Sequence, residues 1–165
     1  MDILAYGEPM VEFNQTSEGG GRLYLQGFGG DSSNFAIAAA RQGARAGYWS
    51  ALGDDANGRS LRALWDAEGV DHRCVQSDAA AFTAIYFVTH GERGHEFHFY
   101  RSGSAASRVS PADVPHEALV SAKDSTCRAS RWRSRPRPAM LATPPSTRRA
   151  RPACRSPSTP TCGSS

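Results

Sequence analysis

Four short segments carry residue types able to hold a small polyhydroxy ligand. In Gly29-Gly30-Asp31-Ser32-Ser33-Asn34-Phe35-Ala36, paired glycines let the backbone approach a ligand closely. The helix that starts there presents free amides, and Asn34 can both donate to and accept from a sugar hydroxyl. Taken alone, the segment also reads as a glycine turn before a capped helix. In Gly53-Asp54-Asp55-Ala56-Asn57-Gly58 the acids stand at a strand end, where such residues ordinarily satisfy neighbouring backbone amides. Thr83-Ala84-Ile85-Tyr86 is the third segment. The fourth, Phe99 to Ala106, sets Arg101 beside Tyr100: a planar fork for a carboxylate and a hydroxyl to orient it. Singly, Tyr86 and Tyr100 read as half-buried sheet residues and Arg101 as a solvated charge. His95 and His98 read as a solvent-facing strand surface rather than as ligands.

The elements that position these segments follow from periodicity and punctuation. Ile3 to Tyr6 predicts a short strand ending at Gly7. Six glycines from Gly19 to Gly30, around Leu23, Tyr24, Leu25 and Phe28, predict a hairpin-like excursion. Ser32 or Ser33 caps a helix through Gln42, and Gly43 supplies its left-handed stop. Gly47 to Leu52 is a second strand, and Asn57 or Gly58 opens a second helix that ends at Gly69. Thr83 to Thr89 and His95 to Tyr100 form a second hairpin, turned at Gly91 to Gly94. Period-two alternation puts Phe97 and Phe99 on one face, His98 and Tyr100 on the other. Ser110-Pro111-Ala112-Asp113 reads as a helix start. This order indicates an α/β domain with a small β appendage.

Composition divides the chain near Lys123. Residues 1–123 hold 15 acidic and 10 basic residues, whereas residues 124–165 hold nine Arg and one Asp. The second part also has seven of the ten Pro and three of the four Cys. With so little apolar surface to offset chain entropy, 123–165 is expected to be a disordered Arg/Pro/Ser-rich tail. Cys127, Cys154 and Cys162 are too widely spaced, with no nearby His, for a zinc site. No apolar run is long enough to span a bilayer, and Met1 to Glu8 lacks a secretory start. One Cys, Cys74, in the ordered part suits a reducing cytoplasm.

In order and spacing, the four segments resemble the N-terminal half of the ribokinase-like sugar kinases of the PfkB carbohydrate kinase family. Gly29-Gly30, Asn34, Ala36, Gly43 and Gly53 fall at the intervals of its first signature. The run Gly7-Glu8-Pro9-Met10-Val11-Glu12, with Phe99 to Ser107, is similar to the 2-keto-3-deoxygluconate kinases. The likeness covers residues 1–122. It implies a ribokinase-like fold: the N-terminal part of a three-layer α/β/α core, with lid strands at 10–28 and 83–101 often shared across a homodimer. It implies ATP- and Mg2+-dependent phosphorylation of a sugar acid, with substrate contacts at Gly30, Asn34, Tyr86, Tyr100 and Arg101. Arg101 suits a sugar acid, because an aldose offers it no carboxylate.

The same resemblance exposes a gap. Phosphoryl transfer needs a base and donors for the transferred charge. The family supplies both in a Gly-Ala-Gly-Asp turn, and this sequence contains none. A shifted reading frame accounts for that: codons read one step out of phase over Pro157 to Ser164 admit Phe-Asp-Thr-Asn-Leu-Arg-Leu. That heptapeptide is similar to a downstream Asp-x-Asn-x-Arg strand end of the sugar-acid kinases. The expectation is a truncated, inactive kinase with no catalytic or nucleotide-binding residue of its own. The alternatives are a sibling kinase for fructose or ribose, a non-catalytic sugar-binding or dimerising module, and a basic tail that binds nucleic acid by counterion release.

Overall fold

The structure, a computed structural model, describes residues 1–92 and 94–127, with side chains through Ser125. In chain order its strands are β1 (Ile3–Tyr6), β2 (Met10–Gln15), β3 (Tyr24–Gly29), β4 (Ala46–Gly53), β5 (Asp71–Asp78), β6 (Ile85–Gly91), β7 (Gly94–Tyr100) and β8 (Asp124–Cys127). The helices are α1 (Asp31–Arg41), α2 (Ala56–Ala67), α3 (Ala105–Arg108) and α4 (His116–Ser121).

β4 holds the first sheet together. All eight of its residues are buried, as in a parallel strand covered on both faces. The sheet runs β5-β4-β1-β8, every pair parallel. Tyr48 and Leu52 join Ala5, Ile37, Leu61 and Trp65 in the main core, while Trp49 stacks on Tyr6 at 4.3 Å. Leu61 has no exposed surface; cutting a leucine of this kind back to alanine costs about 2–5 kcal/mol.

α1 ends as expected, with Gly43 at φ 87° closing it. Its start differs. Gly30, at φ 103°, occupies the cap position, and Ser32 and Ser33 lie inside the helix, turned into the core. Ser32 Oγ lies 2.8 Å from the Tyr48 hydroxyl, and Ser33 Oγ accepts from Trp65 Nε1 at 2.9 Å. Buried Tyr and Trp need polar partners, and these two serines supply them. α2 opens one residue before the expected Asn57, because Asp55 caps it by accepting from Gly58 N at 2.7 Å. Ser110 and Asp113 do form a capping box, but around a single 3-10 turn; α4 begins only at His116.

The second sheet joins both excursions in the order β3-β2-β6-β7, with β2 and β6 parallel at its centre. Glu12 stands opposite both Gly27 and Tyr86, and Tyr86 opposite Phe99, so these four residues make one row across all four strands. Val11 lies in the main core, with Phe13, Phe28 and Ile85 packed against it.

Two strands went unread in the sequence. β5 is an edge strand, and of its side chains only Val75 is buried. β8 lies beyond the expected boundary at residue 122: Asp124 N donates to Asp2 O at 3.0 Å, and Lys123 Nζ meets Asp2 Oδ1 at 2.9 Å. Pairing of this kind is made by the backbone, so Asp124–Cys127 joins the sheet without an apolar pattern. The disorder expected of residues 128–165 lies outside the described residues. Among the described residues no helix is long and apolar enough to cross a membrane.

Candidate functional site

β1, β4 and β5 all end at one edge of the first sheet, and β1 lies between β4 and β8, on opposite sides. In such open parallel sheets, ligands sit beyond the carboxyl ends of the strands where the chain changes direction across the sheet. The loop leaving β1 there carries Glu8, whose side chain is 8% exposed. Its carboxylate accepts from Ser104 Oγ at 2.8 Å and faces Arg101 Nε at 2.8 Å. Its backbone oxygen lies so close to Gly30 that a Cβ there would come within 2.6 Å of it. Glu8 thus ties the end of β1, the start of α1 and the end of β7 at one point.

Beside it, Tyr86 donates its hydroxyl hydrogen to Glu12. Burial first, and then the Glu12 carboxylate, push the Tyr86 phenol well above its ordinary range, so the proton stays on Tyr86. Glu12 also accepts from Asn14 Nδ2 at 3.2 Å. Gly29 leaves room for the Tyr86 ring, since a Cβ at Gly29 would collide with it. With its proton committed to Glu12, the phenol oxygen can accept from a ligand hydroxyl.

The Gly53–Gly58 segment does what strand-end acids ordinarily do. Asp55 accepts from Thr83 N and from Gly58 N, each at 2.7 Å, and Gly53 N donates to Thr83 Oγ1 at 3.0 Å. Burial raises the Asp55 carboxyl, but the hydrogen bonds from Thr83 and Gly58 outweigh it and hold the group below its usual value. This ties the end of β4 to the root of β6.

Gly30, Tyr86 and Arg101 therefore stand around Glu8 and Glu12. The other two expected site residues are placed elsewhere. Tyr100 lies on the opposite face of the second sheet, edge-on to Phe87 at 5.8 Å, because neighbouring residues of a strand point to opposite sides. Asn34 is exposed in the first turn of α1 and lines an open cleft of about 450 Å³ with Phe28, Ile37, Arg41, Leu64 and Glu68. Glu8, Glu12 and Ser104 went unnamed as site residues. They lie inside the runs that carried the resemblance, but their convergence depends on the β2–β6 pairing, which alternation within one strand does not reveal.

Residues 1–130 match the pattern of the pfkB family carbohydrate kinases, and the chain belongs to that family. It is 38% identical over 128 residues to the probable fructokinase-3 of Arabidopsis thaliana, covering 73% of this chain and 36% of the relative. It is 36% identical over 131 residues to the 2-dehydro-3-deoxygluconokinase of Thermoproteus tenax, covering 76% of this chain and 40% of the relative. The crystal structure of a fructokinase from Xylella fastidiosa with bound ATP superposes with a TM-score of 0.72 at 26% identity, over 78% of this chain and 39% of that one. The fold is thus the ribokinase-like α/β fold expected. The chain spans about two fifths of the length of the curated relatives it matches.

Proposed function

We propose that this chain carries the sugar-recognition part of an ATP-dependent kinase for a sugar acid, 2-keto-3-deoxygluconate. The observation supporting this is the position of Arg101. It directly follows β7, continues the alternation of Phe97 and Phe99 toward the Tyr86 face, and has 31% of its side chain exposed beside Glu8. A guanidinium has five N–H donors, so Glu8 can steady Arg101 while a ligand carboxylate is paired on another edge. Tyr86 accepts a sugar hydroxyl, and Gly30 brings the backbone close. The second sheet, with Leu25, Phe97 and Phe99 exposed, is in this reading a lid shared between two copies.

A neutral sugar such as fructose is the second reading, and one feature favours it. Glu8 already balances the charge of Arg101, and Glu12 adds a carboxylate to the same face. Calorimetric titration of the chain with 2-keto-3-deoxygluconate and with fructose separates the two. For the acid, Arg101→Ala should weaken binding by about ten- to 150-fold, the equivalent of roughly 1.5–3 kcal/mol, and Arg101→Lys by less. It should leave a neutral analogue little changed. Equal losses for both ligands, in folded variants, would make Arg101 structural and the acid reading false.

In this reading the chain lacks the base and the anion hole that phosphoryl transfer needs. The family's Gly-Ala-Gly-Asp turn does not occur in the sequence. Purified 1–165 is therefore expected to phosphorylate no sugar. ATP-dependent turnover that survives stringent purification would overturn this. The proposed change of reading frame falls near Lys123, where the composition breaks. Sequencing the coding DNA across codons 120–135 tests it.

A further inference from the structure

We propose that the tip of the β6–β7 hairpin is a two-histidine clip for a divalent transition-metal ion of the copper or nickel kind. His90 and His95 are direct cross-strand partners, the last pair but one before the turn. Their Nδ1 atoms lie 2.8 Å apart. The other ring nitrogen of His90, Nε2, is 2.8 Å from Asn14 Oδ1. An amide oxygen can only accept, so His90 Nε2 carries a proton, and in the neutral ring Nδ1 has a bare lone pair. His95 must then supply the hydrogen between the two Nδ1 atoms. A metal ion can replace that single proton once the two rings swivel, so that their Nδ1 lone pairs leave the line between the nitrogens and meet at the ion.

The spacing selects the ion. With metal–nitrogen bonds of about 2.05 Å, a 2.8 Å bite subtends roughly 86° at the metal. That is near the right angle between neighbouring ligands in square-planar or tetragonal copper(II) and nickel(II) sites, and well below the tetrahedral angle zinc prefers. Asn14 is the kind of outer partner that fixes a ligating histidine in one tautomer and orientation. A second tie holds the same strand end: His90 N donates to Gln15 Oε1 at 2.8 Å. Water completes the coordination, since His98 lies on the opposite face of the hairpin, beside Thr89. The rings are exposed, so the ion has open access.

Copper(II) chloride and nickel(II) chloride, each titrated alone into the full chain and followed by calorimetry, test the clip. One ion should bind saturably. His90→Gln or His95→Gln should weaken it at least tenfold, and His98→Gln should not. Asn14→Leu should cost roughly tenfold or more through loss of orientation. Electron paramagnetic resonance of the copper-loaded wild type should show coupling to two imidazole nitrogens, and this readout needs no variant to fold. Absence of saturable binding, one nitrogen or none in the spectrum, or undiminished affinity in folded His95→Gln would each overturn the proposal.

Discussion

Arg101 Nε stands 2.8 Å from Glu8 Oε2, joining the end of β7 to the end of β1. The Glu8 side chain is almost fully covered, and its other oxygen is held by Ser104. A covered carboxylate is costly unless its oxygens are met. Removing Arg101 therefore strands half of Glu8. Arg101→Ala should lower stability by about 1–2 kcal/mol, toward the small end because the guanidinium is partly solvated. Adding Glu8→Gln should recover part of that loss. Urea unfolding of the two single variants and the double variant checks this, and identical midpoints would show that the pair contributes nothing.

Ser33 gives a second, independent test. Its hydroxyl is the partner of Trp65 Nε1, and both residues are buried. Ser33→Ala should cost about 1–3 kcal/mol, because the indole N–H then stays dry and unpaired. A cap serine at an exposed helix start would show less. Thermal or urea unfolding with no measurable change would return Ser33 to the role of an ordinary helix residue.

Gly29 keeps Tyr86 in place, so Gly29→Ala should drive the ring away from Glu12. The phenol would then lose the setting that raises it, and tyrosinate would form at lower pH. Ultraviolet titration of the variant against wild type reads this directly. An unchanged titration would mean that the ring has space the structure does not show.

Asp55 predicts an acid limit. Its carboxyl is held below its usual value in the folded chain, so its contribution is complete above the unfolded value near pH 3.9 and is lost as pH falls through the folded one. Asp55→Asn should remove this part of the pH dependence. Urea midpoints from about pH 6 down to pH 2 should fall in wild type and flatten in the variant. Parallel curves would assign the acid limit to other groups.

Much of this arrangement could be read from the chain, and the misses share a cause. β1, β4, α1, α2 and both hairpins announce themselves through local period and glycine punctuation. β5 and β8 are made by backbone pairing with a buried neighbour, and neither strand shows a strong apolar period. Ser32 and Ser33 looked like caps because their true partners, Tyr48 and Trp65, are 16 and 32 residues away. Around the candidate site, Gly30, Tyr86 and Arg101 came from the residue types themselves. Glu8 and Glu12 became visible only when β2 was laid beside β6. Tyr100 fell away for the alternation that had already set it apart from Phe99.

The parallel pairing of β2 with β6 governs how the second sheet can move. Val11 stands opposite Ile85, so neither excursion is complete without the other. The sheet is attached at four places: after Tyr6, before Asp31, before Ile85 and after Tyr100. Two of these are knotted together by Glu8 and Arg101, and a third is pinned to β4 through Asp55 and Thr83. Peeling one hairpin from the other would break the β2–β6 pairing, so the sheet should move as one plate about its straps. Each hairpin is local and can form by itself, but the central pair needs residue 85 brought back beside residue 11 across β4, α2 and β5, so joining the two hairpins should be the later and slower step.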